Sequence, residues 1–251
     1  DWLGADGMET FIDKNNSNIL YGTSQYGGLY KSINTGTSYI GINSPEDKSG
    51  DWVTPFEQDP LLANTIYTGY DKVYKSSNGG STWVSISQGF GENLNHLKIA
   101  PSSNLVMYAS HGNTLYKTIN GGTTNWTQLS GFSGSINSIA IHPTNPNKVA
   151  IATTSDQKVY VSNNGGITWI SYLYDLPDFS AQALVWENNG KDGLYLGMNY
   201  GVYYIDNESN TSWQSFSNNL PNVIISELEI NYADNKLYAA TYGRGLWRTS
   251  L

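Results

Sequence analysis

Short runs in which apolar and polar positions alternate recur along this chain at a regular interval. Leu29-Tyr30-Lys31, Val73-Tyr74-Lys75, Leu115-Tyr116-Lys117, Val159-Tyr160-Val161 and Val202-Tyr203-Tyr204 each precede a polar turn. A second alternating run, such as Trp83-Val84-Ser85-Ile86, follows it. A period of two with β-branched and aromatic residues predicts strands on both sides, so each unit is a strand–turn–strand corner. The turn repeats as Ser76-Ser77-Asn78-Gly79-Gly80-Ser81-Thr82-Trp83 and Ser162-Asn163-Asn164-Gly165-Gly166-Ile167-Thr168-Trp169. With one inserted residue it runs Thr118-Ile119-Asn120-Gly121-Gly122-Thr123-Thr124-Asn125-Trp126. Degenerate copies occupy 32–39 and end at Thr211-Ser212-Trp213. The closing aromatics at 39, 83, 126, 169 and 213 are spaced 44, 43, 43 and 44 residues apart. A fixed step of about 40–50 residues marks a propeller or another repeat array.

The residue types suit a tight corner. Asn34, Asn78, Asn120 and Asn164 can bond nearby backbone N–H groups as Asx turns. The Gly-Gly pairs ending in Gly80, Gly122 and Gly166 supply positive φ without steric cost. Trp83, Trp126, Trp169 and Trp213 can cover the corners with apolar area. These turns resemble the Asp-box, or BNR repeat, whose pattern is Ser-x-Asp-x-Gly-x-Thr-Trp. Asn replaces the Asp in four copies, and the fifth, around Asp206, has lost both glycines. The resemblance covers nearly the whole chain and implies a β-propeller. It does not imply an activity, because such corners occur in sialidases, sortilin-type receptors, xyloglucanases and non-catalytic modules.

Filling in between corners predicts a single all-β domain over 1–251 made of four-stranded blades. In the first unit strands are expected at 8–13, 19–23, 29–32 and 39–42. Later first strands are expected near 53–57, 96–100, 136–142, 183–187 and 226–231. Second strands are expected at 65–69, 106–110, 149–153, 194–197 and 237–241. The run Leu246-Trp247-Arg248-Thr249-Ser250 takes a third-strand position, and Asp1-Trp2-Leu3 reads as a fourth strand. Joining them gives six blades closed by the N-terminal strand, which removes open edges. The alternative is the C-terminal part of a seven- or eight-bladed propeller. Lys31, Lys75 and Lys117 are expected as solvated edge residues.

Composition narrows the functional classes. The formal charge is -8 and no Lys/Arg-rich tract exists, which argues against a nucleic-acid surface. No apolar run approaches transmembrane length. Without cysteine there is no disulfide, thiol chemistry or Cys-bound metal. The start at Asp1 reads as a mature or excised piece. Few charges and many aromatics, with the family resemblance, suggest an extracellular or cell-surface location.

In a propeller, loops joining second to third strands share one face with the loops joining blades. The first set carries Tyr26, Tyr70 with Asp71, His111, Asp156, Tyr200, and Tyr242 with Arg244. The second carries Asp6, Asp47, Asp51, Glu92, Asp175 and Asp178 with Phe90, Phe132, Tyr174 and Phe179. Rings beside carboxylates and amides suit a sugar, whose apolar face stacks while its hydroxyls donate. The candidate ligand residues are therefore Asp6, Tyr26, Tyr70, Asp71, His111, Asp156, Tyr200, Tyr242 and Arg244. An equal alternative is that the Tyr-Gly pairs only shape and pack the loops. Arg244 reads first as a salt-bridge partner of an acidic neighbour such as Asp6, and second as a ligand anchor.

Catalytic readings find less support. Sialidases hold the substrate carboxylate with three arginines from separate blades, whereas this chain has only Arg244 and Arg248. A glycosidase needs two carboxylates across a cleft, for which Asp6, Asp71, Asp156 and Asp175 are candidates without a distinguishing motif. His96, His111 and His142 lack metal-ligand spacing, Asp-x-Asp calcium loops are missing, and no nucleophile elbow occurs, so no metal or cofactor is expected. The run Ala239-Ala240-Thr241-Tyr242-Gly243-Arg244-Gly245-Leu246-Trp247 and the stretch Gly4-Ala5-Asp6-Gly7-Met8-Glu9 resemble those of large secreted bacterial proteins with sortilin-like BNR propellers. Many of these leave by type 9 secretion, and the resemblance implies further domains in a larger chain. The resulting expectation is a binding or interaction module for a glycan or protein. A glycoside hydrolase or lyase, and a structural spacer, are the alternatives.

Overall fold

The computed structural model describes residues 5–45, 49–209 and 211–251. The expected strand at Asp1-Trp2-Leu3, with its ring-closing role, and Asp47 lie outside them. The described chain forms six antiparallel sheets in series, five of four strands and one of three. These are the blades of an all-β propeller. It divides into two compact units, residues 1–128 and 129–251.

In the first unit, blade 1 consists of β1 (Gly7–Ile12), β2 (Leu20–Ser24), β3 (Gly28–Ser32) and β4 (Ile40–Ile42). Blade 2 consists of β5 (Phe56–Gln58), β6 (Ile66–Gly69), β7 (Val73–Ser76) and β8 (Val84–Ser85). Blade 3 consists of β9 (His96–Ala100), β10 (Ser103–His111), β11 (Thr114–Thr118) and β12 (Thr127–Leu129). In the second unit, blade 4 holds β13 (Ile136–Ile141), β14 (Val149–Thr153), β15 (Val159–Ser162) and β16 (Ile170–Ser171). Blade 5 holds β17 (Ala181–Trp186), β18 (Leu194–Met198), β19 (Val202–Ile205) and β20 (Gln214–Ser215). Blade 6 holds β21 (Ile225–Asn231), β22 (Lys236–Thr241) and β23 (Gly245–Ser250). Every strand pairs with its sequence neighbour, so each blade is a meander. The expected strand positions match within a few residues. Among the described residues the one departure from strand and loop is a helical turn at Gln25–Gly27.

Cores form between successive blades within each unit. Tyr67, Val73 and Phe90 pack with Leu97, Met107 and Trp126 in the first unit. Ala150, Val159 and Val161 pack with Leu184, Leu194 and Trp213 in the second. First strands of successive blades are neighbours, β1 with β5 and β5 with β9, and β13 with β17 and β17 with β21. That places the ends of the first strands, and the loops leading into them, side by side.

Four corners share one hydrogen-bond scheme. In blade 2 the Ser76 hydroxyl donates to Asn78 Oδ1 (2.9 Å) and accepts from Gly80 N–H (2.8 Å). Asn78 Oδ1 also accepts from Thr82 N–H (2.9 Å), and its Nδ2 donates to Thr82 Oγ1 (2.9 Å). Asn34, Asn120 and Asn164 bind their corners in the same way, with a small shift in the copy that has an extra residue before Trp126. Asn therefore serves as both acceptor and donor where a carboxylate could only accept.

The corners of blades 2, 3 and 4 also grip what precedes them. A Cβ added to Gly122 would sit 2.0 Å from the Ile86 carbonyl oxygen. Gly122 lies at φ +81, where a side chain is strained in any case. The corner tryptophans add a bond that their apolar reading did not include. Trp83 Nε1 donates to Asn43 O, Trp126 Nε1 to Ile86 O and Trp213 Nε1 to Tyr172 O, at 2.8 to 2.9 Å. Trp169 differs, its buried indole N–H having no partner among the described residues.

The three lysines are not simply solvated. Lys31, Lys75 and Lys117 lie over the rings of Tyr21, Tyr67 and Tyr108, at 5.2, 5.7 and 5.5 Å. Each tyrosine is the cross-strand partner of its lysine on the second strand of the blade and is fully buried. Such a contact contributes about 0.5–2 kcal/mol. Burial pushes the Tyr21 hydroxyl up to about 12 and lowers the Lys117 ammonium from its usual value.

Gly122→Ala is expected to lower the unfolding free energy by about 2–4 kcal/mol through strain and the carbonyl clash. Gly7→Ala, with nothing within 4 Å of the added carbon, is the control and should shift it by under about 0.5 kcal/mol. Urea midpoints of the two variants decide; equal midpoints would show that the close approach does not matter.

Candidate functional site

The loops between second and third strands and the loops between blades are bonded to one another, which places both sets on one face of each unit. Gly50 N–H donates to Tyr26 O, Phe90 N–H to Asp71 O and Leu94 N–H to Tyr70 O. Asn95 N–H donates to Ser110 O, Thr154 N–H to Ser135 O, Asn199 N–H to Ser180 O and Tyr242 N–H to Ile224 O. Each connecting loop is thus bonded by backbone rather than merely lying over the sheet.

On the first unit, Tyr26 is 52 % exposed and holds a left-handed backbone at φ +61. Its ring stands edge-on to exposed Trp52, centroids 5.1 Å apart. Tyr26 N–H donates to Trp52 O (3.3 Å), so backbone and rings are paired together. Tyr70 is only 1 % exposed and its hydroxyl donates to Gly27 O (2.7 Å). It supports the loop bearing Tyr26 from beneath. Asp71 is half-buried behind it. Asp51 accepts from Asn95 Nδ2 (2.5 Å), and Asn95 Oδ1 accepts from Gly112 N–H (2.8 Å). His111 lies against Tyr116 with Nδ1 3.6 Å from Glu92. Its Nε2 is buried without a partner among the described residues. Asp6 is exposed just before β1.

On the second unit, Phe179 and Tyr200 form another exposed edge-to-face pair at 4.9 Å. Asp156 is exposed at the turn before Lys158, whose Nζ reaches Asp178 at 3.0 Å. Asp178 is fully exposed, so this pair adds little stability. Tyr242 is 76 % exposed. Arg244 is exposed. Its carbonyl accepts from Trp247 Nε1 (3.0 Å). Asp175 turns toward blade 5, accepting from Trp213 N–H (2.8 Å) and the Ser212 hydroxyl (2.7 Å). Those bonds hold its carboxyl below the usual range.

Periodicity did not reveal a recurrent bulge at the loop end of the first strand. Asn137, Gln182 and Ser226 are the extra residues where β13, β17 and β21 meet their second strands. Bulges re-aim side chains at strand ends. Asn137 Nδ2 donates to Ala181 O (2.8 Å) and Gln182 Nε2 to Asn199 Oδ1 (2.7 Å). A polar residue breaking the apolar run of a first strand was the available signal. Among the described residues no group of three His, Asp or Glu is placed to hold a metal, and no helix is long and apolar enough to cross a membrane.

No family model matches the sequence, and no curated protein matches it. Solved structures do. An ancestral GH74 enzyme is 20% identical with a TM-score of 0.73, covering 98% of this chain and 38% of its own. The GH74 xyloglucanase from Xanthomonas campestris is 14% identical with a TM-score of 0.75, covering 98% and 44%. YCF48 bound to D1 peptide is 14% identical with a TM-score of 0.72, covering 98% and 78%. At these identities the likeness establishes the propeller fold alone. The chain spans less than half the length of the two GH74 enzymes.

Tyr26→Gly removes an exposed ring and relieves a left-handed tyrosine. Its stability is expected to stay within about 1 kcal/mol of the parent. A loss well above that in urea unfolding would mean the ring is retained for folding instead of recognition.

Proposed function

We propose that this chain is an extracellular binding module whose loop-face aromatics take a glycan. The observation that carries the reading is the presence of exposed edge-to-face pairs, Tyr26 with Trp52 and Phe179 with Tyr200, on loops bonded through their backbones. Rings fixed in this way lose little entropy when a pyranose face stacks on them. Amides stand nearby, Asn95 on the first unit and Gln182 with Asn199 on the second, and can exchange hydrogen bonds with hydroxyls. Loops on a rigid sheet scaffold are the usual place for such contacts.

The corners, on this reading, are Asp-box corners with Asn in the place of Asp, and the chain is a sortilin-like module of a larger bacterial protein exported by type 9 secretion. A protein ligand is the second reading, favoured by the likeness to YCF48, solved with a D1 peptide. A hydrolase would need a carboxylate pair across a cleft. Asp175, one of its candidates, has its carboxylate engaged by blade 5.

Binding of the purified chain to a broad glycan array tests the reading. At least one glycan family is expected to bind, about tenfold or more weakly to Tyr200→Ala and Tyr242→Ala with folding retained. No glycan binding would sink the glycan reading and leave the protein ligand. Depletion of the bound glycan over time, lost in Asp71→Asn or Asp156→Asn, would establish an enzyme instead.

A further inference from the structure

The fifth corner breaks the pattern of the other four, and a cavity opens beside it. Between Asp206 and Trp213 the sequence has no glycine. In the second unit's regular corner, a Cβ on Gly166 would meet Leu129 at 2.4 Å, so no space remains there. At corner 5 the Trp213 indole still bonds Tyr172 O, but the glycine contact is gone. A cavity of about 190 Å³ lies there, lined by Lys148, Tyr174, Asp192 and, from the corner, Asp206, Asn207 and Thr211, with Tyr172 and Trp186 beside them.

The lining is polar and aromatic, and it carries two carboxylates against one ammonium. Asp192 accepts from Lys148 Nζ (2.7 Å) and Asn207 Nδ2 (2.8 Å), and lies 3.1 Å from His142 Nε2. Asp206 accepts from the Ser209 hydroxyl (2.6 Å), Glu208 N–H (3.0 Å) and the Tyr204 hydroxyl (3.2 Å). Lys148 lies over the buried Trp186 ring at 5.0 Å. Tyr172 and Tyr174 pair at 5.1 Å, with Tyr174 40 % exposed. Three of the lining residues, Tyr174, Asp192 and Thr211, hold left-handed backbones at φ +39, +55 and +72. A β-branched residue such as Thr211 rarely adopts that conformation, and such strain concentrates at ligand sites.

We propose that this cavity binds a neutral sugar, one pyranose unit, on the corner side of blade 5. Lys148 is paired with Asp192, and Asp206, held by three neutral donors, keeps its negative charge, to which the hydroxyls of a sugar can donate. What remains are donors and acceptors close together beside the Tyr174 ring, which hydroxyls on a saturated ring satisfy in both senses. The volume lies below the ~300–1,000 Å³ of pockets for drug-sized ligands, which limits the occupant to a single small ring. Tyr174 belongs to the loop joining blades 4 and 5, but the site uses none of the exposed pairs Tyr26–Trp52 and Phe179–Tyr200, and it stands if the reading built on those pairs fails.

The test is a titration of the ¹⁵N-labelled chain with methyl glucoside, methyl galactoside and methyl mannoside, with ethylammonium and acetate as charged controls. Saturable shifts of the Trp186 indole and Asn207 amide signals are expected for at least one glycoside, with a Kd on the order of 1 mM. Tyr174→Ala should weaken it about tenfold or more, Asn207→Ala should weaken it too, and Tyr200→Ala on the loop face should leave it unchanged. The proposal is overturned by any of three results: no saturable shift with any glycoside, saturation only by ethylammonium or acetate, or loss of the titration in Tyr200→Ala instead of Tyr174→Ala.

Discussion

The structure depends on the close seating of its regular corners against the chain that precedes them. A glycine backbone presses where no Cβ would fit, as at Gly122 over the Ile86 carbonyl, and the corner tryptophan donates its indole N–H to that same strand end. Both contacts need the Asn–Ser or Asn–Thr network to hold the turn in shape first. Local hydrogen bonds thus set a corner, and the corner sets how neighbouring blades pack. The apolar clusters then fill the space so defined, between the faces of successive sheets. Because the seating is short-range and repeated, each blade within a unit is oriented mainly by the one before it, as in other repeat arrays.

Within the first unit the same economy governs the buried tyrosines. A ring at the centre of a second strand is covered on its face by a lysine stem from the third, so the ammonium gains an aromatic partner while its carbons shield the strand. In the second unit that cross-strand position changes character. It holds Ala150 with Val161, Tyr195 with Tyr204, and Tyr238 with Arg248. The repeat is therefore strict in its corners and permissive in its sheets, because only the corners have no room to vary.

That division bears on where recognition can reside. Loops held to one another through their backbones leave side chains such as Tyr26, Trp52, Phe179 and Tyr200 free to differ without disturbing the blades. Where a corner itself departs from the rule, at Asp206, the lost glycine contact is accompanied by a polar cavity and by strained residues around it. Departure from a repeat is informative for the same reason that the repeat is: the fold tolerates it only where other contacts, here Asp175 to Trp213 and Asp192 to Lys148, hold the pieces.

The blade count, the strand positions and the chemistry of the corners were legible in the sequence. They arise from period-two alternation and from Asn, Gly and Trp at fixed offsets, all of which act over a few residues. The side chains on the loop face were legible as types and positions, but their surroundings were not. Tyr70 and Tyr26 occupy matching loops in sequence, yet Tyr70 is buried beneath Gly27 while Tyr26 stands exposed against Trp52. The lysine–tyrosine stacks, the bulges at Asn137, Gln182 and Ser226, and the capture of Asp175 by Trp213 were likewise decided only in the fold. So was the cavity at corner 5. Each of these depends on residues about 10 to 60 positions apart in the chain meeting across a sheet or between blades, and local pattern carries no record of such distances.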